Sequence, residues 1–227
     1  KQQSFENTVF ILPSQRAGVF VKHALKEKIK VGFLPRILNI EAFIEEVSGI
    51  HKVDTVQLLF HFYNTYKKVE TQPEEFESFI SWAFTVIQDF NEIDQHLVEP
   101  KEIFTYLRDI QRLKNWSVKK PFEETKMMKN HFAFLEKLEL YYTEFSSFLL
   151  KNRIGYQGLM YREATKKIDA FIEKNSTNNF IFMGFNALNK AEESLFQKML
   201  AANNTDIYWD IDSAFLNNNQ QAGTFIR

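Results

Sequence analysis

Hydrophobic residues along this chain follow two different patterns, and the change between them divides the sequence into three zones. At both ends, short and nearly continuous apolar runs alternate with amphipathic stretches, whereas in the middle apolar residues recur every three or four positions. The first pattern is typical of strands buried in a parallel sheet, and the second of packed helices. We therefore predict an α/β fold with a discontinuous parallel-sheet core at residues 1–50 and 176–227 and an all-helical insertion at residues 51–175.

The N-terminal zone predicts a strand, a helix, a strand and a helix in that order. Residues 8–12 form a continuous apolar run, and residues 17–29 have helical spacing with apolar Val19, Phe20, Ala24 and Leu25. Residues 33–37 predict a short extended piece, after which Asn39 is a suitable N-cap for the next helix. This order favours a parallel sheet with right-handed crossovers.

The middle zone, residues 53–174, shows helical spacing and almost no strand pattern. Prolines and glycines interrupt the spacing at intervals, which predicts four or five helices. In the first of them, VDTVQLLFHFYNTYKKV, the predicted apolar stripe comprises Val56, Leu59, Phe60, Tyr63 and Val69. No repeat of fixed length is present, so the sequence does not indicate a solenoid.

The C-terminal zone returns to the strand pattern. The run NFIFMGF at residues 179–185 predicts a strand, NKAEESLFQKMLA predicts a helix with Leu195, Phe196 and Leu200 facing inward, and DIYWDID predicts another strand. Because a parallel strand needs a partner, we expect the strands of both chain ends to share one sheet.

Composition narrows the possible chemistry without indicating a specific one. The 227 residues include no Cys, which excludes disulfides, thiolate zinc sites and iron-sulfur ligation from this segment. The 28 basic residues nearly balance the 29 acidic ones, so any nucleic-acid contact has to come from a local basic surface. Short apolar runs and the absence of a signal-peptide core predict a cytoplasmic protein with no membrane partner. The missing initiator Met and the Asn-rich end lead us to expect a piece of a longer protein.

The junction between the first strand and helix is a candidate phosphate-binding loop. A Walker A loop requires Gly-x-x-x-x-Gly-Lys-Ser/Thr, whose backbone N–H groups and lysine hold the phosphates. The candidate nucleotide-binding residues here are Ser14, Gln15, Arg16 and Gly18, a degenerate loop without the Gly-Lys-Ser/Thr end. Three interpretations of this loop are compatible with the sequence: a catalytic nucleotide site, a phosphate or DNA-backbone contact without catalysis, and a structural turn. We predict no cofactor in this segment.

Other catalytic and metal-binding patterns are absent from the sequence or lie in the wrong context. The strand at residues 180–183 is followed by Gly-Phe-Asn instead of the carboxylate that would hold magnesium, and Glu192 and Glu193 fall inside the next helix. Two Glu-x-Lys strings lie in the helical zone, and the five histidines show no metal-ligand spacing. We therefore assign no catalytic and no metal-binding residue.

A basic segment with interleaved aromatic residues spans residues 114–129. It contains five lysines and two glutamates, together with Trp116 and Phe122. Phosphate attraction combined with ring stacking is what a single-stranded DNA contact uses, although a solvated linker has the same composition. The candidate DNA-binding residues are Arg16, Lys22, Lys114, Trp116, Lys119 and Lys120.

Two strings in order give the sequence a family resemblance. The opening VFILPSQRAGVFVKHAL, continued by GFLPRILNIEAFIEEVSG, and the later NFIFMGFNALNKAEESLFQKMLAANNTDIYWDID resemble the N-terminal helicase-like region of AddB-type subunits. These belong to the AddAB helicase-nucleases, which carry a PD-(D/E)XK nuclease and resect double-strand breaks in bacteria. The resemblance spans nearly all 227 residues.

The resemblance implies a superfamily 1 helicase-like, P-loop-like domain with a helical insertion. It also implies a role in DNA repair and recombination, with single-stranded DNA and a motor subunit as partners and any nuclease residues beyond Arg227. Some relatives keep a full phosphate loop at residues 13–18 and an acidic residue where Gly184 stands, and this chain has neither. We therefore expect a motor-dead domain that positions DNA. An active enzyme with a divergent phosphate loop and a helical protein-interaction module are the alternatives.

Overall fold

The structure is a computed structural model, and it describes residues 5, 7–29, 34–116, 126–202 and 204–209, with side chains throughout these ranges except at 110–133. In chain order, its elements are β1 (Thr8–Leu12), α1 (Gln15–Lys28), β2 (Arg36–Asn39), α2 (Ile40–Ser48), β3 (His51–Lys52), α3 (Thr55–Val69), α4 (Phe76–Gln95), α5 (Pro100–Trp116), α6 (Lys126–Lys151), β4 (Ile154–Gly155), α7 (Gln157–Lys174), β5 (Asn179–Met183), α8 (Lys190–Ala201) and β6 (Thr205–Tyr208).

The chain divides into two compact units. The sheet unit comprises Lys1–Gly49 and Glu163–Arg227, and the helical unit comprises Ile50–Arg162. The second division lies inside α7, whereas the sequence pattern placed it after residue 175. The last turns of α7 belong to the sheet unit because Phe171 packs there, with its ring centroid 5.6 Å from that of Phe43 and 5.8 Å from that of Phe180.

The sheet unit contains a four-stranded parallel sheet with the order β2-β1-β5-β6. The predicted α/β fold, with strands from both chain ends in one sheet, is therefore confirmed. Val9 pairs with Phe180 and Ile11 pairs with Phe182, so these four side chains share one face. Phe182 lies 5.6 Å from Phe43 of α2 and 4.4 Å from Phe196 of α8 between ring centroids, so this face is covered by helices.

Helix ends in the sheet unit follow local sequence signals. Asn39 caps α2 by accepting a hydrogen bond from Ala42 N at 2.9 Å, and Gly49 ends the helix in the left-handed conformation with φ 69°. In α8, Leu195 and Phe196 are buried as predicted. Leu200 is exposed instead of facing inward, because Met199 occupies the buried position of that turn.

The helical unit is built from α3 to α6 and the start of α7 around an aromatic core. Phe62 lies at its centre, with its ring centroid 4.9 Å from that of Phe145 and 5.3 Å from that of Phe79. The sequence showed almost no strand pattern in this zone, yet β3 and β4 form a short parallel ladder in which His51 pairs with Ile154. Strands of two residues are too short to produce a recognisable periodicity.

The apolar stripe predicted for α3 is only partly buried: Leu59, Tyr63 and Val69 pack against the core, but Val56 and Phe60 do not. The buried residues are Leu58, Phe62, Thr65 and Tyr66, whereas Val56 is 61% and Phe60 is 52% exposed. Helix α3 therefore has two apolar faces, and hydrophobic spacing alone does not indicate which one the protein buries.

Candidate nucleic-acid interface

The turn between β1 and α1 consists of only two residues. Strand β1 ends at Leu12 and α1 begins at Gln15, which leaves Pro13 and Ser14 between them. The Ser14 hydroxyl accepts a hydrogen bond from Ala17 N at 3.2 Å and so caps the helix. A turn of this length does not wrap a triphosphate, but the other N–H groups of the first helical turn have no intrahelical partner and remain suited to single phosphate oxygens.

Gly18, one of the candidate loop residues, faces the sheet. It is the buried residue of α1, and a Cβ atom at this position would lie 3.4 Å from Ile37 Cγ2 and 3.9 Å from Leu12 Cδ1. Both distances are ordinary van der Waals contacts, so α1 packs on β1 and β2 at Gly18 without requiring a glycine there. The other predicted loop residues, Ser14, Gln15 and Arg16, are exposed.

The two central strands end side by side at the carboxyl edge of the sheet. From β1 the chain leads to β2 on one side, and from β5 through α8 to β6 on the other, so a topological switch point lies between β1 and β5. Gly184 follows β5 with φ 81°, and a Cβ atom there would lie 3.8 Å from Pro13 Cδ. Ligands of open α/β sheets bind at such points, which places the β1–α1 turn where a binding site is expected.

Carboxylates that could hold magnesium do not follow either central strand directly. The described residues after β5 are Gly184, Phe185 and Asn186. Glu192 instead accepts a hydrogen bond from Asn189 N at 3.0 Å, forming a capping box at the start of α8. The sequence analysis placed Glu192 inside the helix without a role, and the Asn-x-x-Glu spacing is the signal that would have identified the capping box.

Positive charge is concentrated on the exposed surface of α1. The helix carries Arg16, Lys22, Lys26 and Lys28 against one carboxylate, Glu27. The side chains of Arg16 and Lys22 are exposed and form no hydrogen bond or ion pair with other described residues. Lys26 and Lys28 lie in the last turn, where cations favour the helix dipole, but Arg16 lies in the first turn, where they oppose it and where no acidic residue is present.

Two large apolar side chains lie among these cations on α1. Val19 is 66% and Phe20 is 71% exposed, the most exposed large hydrophobic side chains that the structure describes. Phe20 is four residues from Arg16, and Val19 is three from Lys22, so each apolar residue shares a helix side with a cation. The sequence pattern named Val19 and Phe20 as apolar helix residues but missed their exposure, which follows from the burial of Gly18 on the other side of the helix.

The remaining predicted DNA-binding residues cannot be placed beside α1. Lys119 and Lys120 lie outside the described residues, and Lys114 and Trp116 lie in the last part of α5, whose side chains are likewise outside them. Of the six predicted residues, the structure therefore describes the side chains of Arg16 and Lys22 only, and both lie on α1.

A fully buried carboxylate lies in the helical unit. Asp94 is 0% exposed and accepts hydrogen bonds from the hydroxyls of Tyr142 at 2.5 Å and Tyr156 at 2.6 Å and from Arg162 Nε at 2.5 Å. Burial, followed by the Asp94 charge, raises the pKa of both tyrosines. With three donors on its two oxygens and no access to solvent, Asp94 holds α4, α6 and α7 together and is not available to a substrate.

A second carboxylate, at the end of α3, has a similar structural role. Glu70 receives hydrogen bonds from Lys137 Nζ at 2.6 Å and from the Tyr141 hydroxyl at 2.5 Å. Burial alone would raise the pKa of Glu70, but these two donors outweigh it and lower the pKa below its ordinary value. The pKa of Tyr141 is raised by burial and by the Glu70 charge.

Neither a metal site nor a membrane-spanning helix is found in the part of the chain that the structure describes. No group of three or more His, Asp or Glu side chains there is arranged to hold a metal ion. No helix there is both long and apolar enough to cross a bilayer. Comparison with known proteins found no family model that matches this sequence and no curated protein that is similar to it.

Proposed function

We propose that this chain is a motor-dead, P-loop-like helicase domain of an AddB-like nuclease subunit. In this role it guides single-stranded DNA during double-strand-break repair in the cytoplasm, while a partner motor subunit hydrolyses ATP. One observation carries the proposal. The first turn of α1 presents an unpaired Arg16 at the positive end of the helix, at the switch point of a parallel sheet. This arrangement favours an anion, and the two-residue β1–α1 turn disfavours a triphosphate.

The exposed composition of α1 supports single-stranded DNA as the anion. Lys22 and Lys26 extend the positive charge of Arg16 along the helix, which matches a ligand with several phosphates instead of one. Phe20 offers an exposed ring on which a base can stack, and stacking requires the unpaired bases of a single strand.

The salt dependence of binding to a fluorescent oligothymidylate of about 15 nucleotides tests this proposal. Each lost phosphate contact reduces the slope of log affinity against log salt by about 0.7 for a single strand. The Arg16→Ala/Lys22→Ala variant should therefore show a slope shallower by about 1.4, measured by anisotropy between about 50 and 200 mM salt. Phe20→Ala should weaken binding by about tenfold with an unchanged slope, because stacking involves no counterion.

A matched control separates these contacts from the general effect of net charge. Lys68→Ala/Lys174→Ala removes the same charge from exposed positions on α3 and α7 and should leave the slope unchanged. An equal change in both double variants, or no binding by the wild type, would refute the assignment to α1. A shallower slope for Lys119→Ala/Lys120→Ala would add the basic segment to the interface.

Calorimetry with magnesium ATP tests the absence of motor activity. The wild type should show no saturable binding at micromolar nucleotide, because two turn residues do not surround three phosphates. Saturable binding that is lost in Ser14→Ala/Arg16→Ala would favour the alternative of an active nucleotide-binding enzyme. DNA binding is measured separately, so the two parts of the proposal can fail independently.

A further inference from the structure

Helices α3 and α4 of the helical unit expose a second set of apolar side chains. On α3 these are Val56 and Phe60, and on α4 they are Ile80, 39% exposed, and Phe84, 43% exposed. Residues four apart lie on the same side of a helix, so each helix presents one apolar pair. The Phe60 ring stacks on that of Phe76 with centroids 5.1 Å apart, which brings the two helices together at one end. We call Val56, Phe60, Ile80 and Phe84 the hairpin groove.

The hairpin groove is not required for the core of the helical unit. Each helix buries a face other than the one that carries its groove residues. Phe62 on α3 and Phe79 on α4 are fully buried on these faces. Scattered exposed apolar residues need no explanation, but two apolar pairs on neighbouring helices that meet at the Phe60–Phe76 stack are the kind of arrangement that marks an interaction surface.

A cavity of about 530 Å³ continues the hairpin groove beyond Phe84. It lies among β3, the start of α3, α4 and the start of α7, and its lining includes Lys52, Thr55, Phe84, Asp89, Glu92 and Gln157. The backbone beneath it is held tightly, because Gly158 N donates a hydrogen bond to Asn91 Oδ1 at 2.7 Å. This bond joins the start of α7 to α4 beside the cavity.

Negative charge predominates in this cavity. Asp89 forms no hydrogen bond or ion pair with other described residues, and burial, followed by the charge of Glu92, raises its pKa. Glu92 is 3.4 Å from His96 Nε2, and Lys52 on β3 is the cation of the lining. The lining has two carboxylates and one lysine, and Asp89 forms no ion pair with the residues described. A cation that enters the cavity would therefore stabilise the ionised Asp89 carboxylate.

We propose that the hairpin groove and its cavity bind a basic amphipathic helix of a partner protein. Apolar side chains of the partner helix, spaced three and four residues apart, pack between Val56, Phe60, Ile80 and Phe84. An arginine or lysine side chain at one end enters the cavity, where it lies against the Phe84 ring and donates hydrogen bonds to Asp89. Nucleic acid does not fit this surface, because its phosphates would meet Asp89 and Glu92. This inference is independent of the DNA-binding proposal.

Selection from a phage-displayed library identifies the preferred occupant. The library consists of amphipathic helices of about 20 residues with randomised apolar and charged positions. Selection uses the wild-type protein, and counter-selection uses Phe60→Ser/Phe84→Ser, whose substituted residues are partly exposed and outside the core. We expect enriched helices with an apolar stripe and an arginine or lysine near one end.

A double-mutant cycle on the best selected peptide then tests the cavity. Asp89→Asn should lower the affinity for the peptide about tenfold, and replacement of the peptide's arginine or lysine by Met should lower it by the same factor. The two changes together should cost little more than either alone, because both remove one ion pair. Tyr106→Ala, which removes an exposed aromatic side chain from α5, should leave affinity unchanged.

Four outcomes would overturn the proposal. They are a selection that yields no groove-dependent helix, selected helices without a cation, additive effects in the cycle, and displacement of the peptide by oligothymidylate. Hydrogen exchange provides a second measurement that needs no variant, since bound peptide should protect α3 and α4 more than α5. Protection elsewhere instead would also exclude the hairpin groove.

Discussion

The helix-capping side chains of the sheet unit and the two hydrogen-bonded carboxylates of the helical unit act over different distances along the chain. In the sheet unit, Ser14, Asn39 and Asn189 each cap a helix by bonding a backbone N–H three residues ahead. In the helical unit, Asp94 receives donors that lie 48 to 68 residues away, and Glu70 receives donors 67 and 71 residues away. Local polar contacts define individual helix ends, whereas these distant contacts hold several helices together.

The two units also differ in what their surfaces present. The sheet unit exposes unpaired cations beside Phe20 on α1, whereas the helical unit exposes an apolar groove that ends at Asp89. The proposed ligands differ accordingly, DNA for the first surface and a basic helix for the second. The buried carboxylate contacts join several helices of the helical unit. Their loss should therefore lower the free energy of unfolding much more than the loss of an exposed ion pair in the sheet unit.

The largest effect is expected from Asp94→Asn in the helical unit. The substitution keeps the size of the side chain but removes the carboxylate charge that faces the Arg162 guanidinium and places an amide donor against two tyrosine hydroxyls. Removing one partner of a buried ion pair costs about 3 to 5 kcal/mol. Urea unfolding followed by tryptophan fluorescence in a Trp209→Phe background reports on Trp82 and Trp116, which both lie in the helical unit.

Asp169→Asn in the sheet unit is the matched control for Asp94→Asn. Asp169 also pairs with a cation, Lys198 Nζ at 2.6 Å, but its side chain is 67% exposed. Exposed pairs contribute about 0 to 1 kcal/mol, so the free energy of unfolding should hardly change. Comparable losses in the two variants would show that the burial of the Asp94 carboxylate does not make its ion pair more important than an exposed one.

Glycine substitutions provide a second comparison with a somewhat smaller effect. A Cβ atom at Gly158 would lie 2.2 Å from the backbone oxygen of Asn91, so α7 and α4 must separate in Gly158→Ala. We expect a loss of about 3 kcal/mol. In Gly18→Ala the added methyl group lies 3.4 Å from the Ile37 side chain and 3.9 Å from that of Leu12, both ordinary contacts. Alanine also favours the helix by about 1 kcal/mol, so the free energy of unfolding of this variant should stay level or rise. Thermal unfolding of both variants checks this difference.

Much of the sheet unit could be predicted from sequence because its signals are local. The apolar run at residues 8–12, the Asn39 cap and the Gly49 stop each require only a few neighbouring residues to recognise. Pairing of β1 with β5 followed from the need of parallel strands for partners, although 166 residues separate Leu12 from Asn179. The all-parallel sheet therefore matched expectation.

The helical unit and both candidate surfaces were less predictable because they depend on distant contacts. Nothing near Asp94 in the sequence indicates that Tyr142, Tyr156 and Arg162 surround it. Likewise, α3 has two apolar faces, and only packing against the rest of the unit decides that Leu58 is buried and Val56 exposed. Arg16 and Lys22 were identified from charge, but the exposure of Phe20 required the position of α1 on the sheet.

The smallest effect, a pH-dependent one, is expected at Glu70. Its pKa is lowered below the ordinary value of 4.5, so the folded state binds its proton less readily than the unfolded state. The stabilisation is thus complete above about pH 5 and disappears as pH falls through the folded-state pKa. Because Lys137 is partly exposed, we expect this stabilisation to be no more than about 1 kcal/mol.

The variant Glu70→Gln should be less stable than wild type at pH 7 and equal to it near pH 2. The control Glu136→Gln, which changes an exposed carboxylate on α6, should follow wild type at every pH. A constant difference at all pH values would mean that Glu70 stabilises the unit by packing alone. The charge of this long-range contact would then contribute no more than an exposed pair such as Asp169 and Lys198.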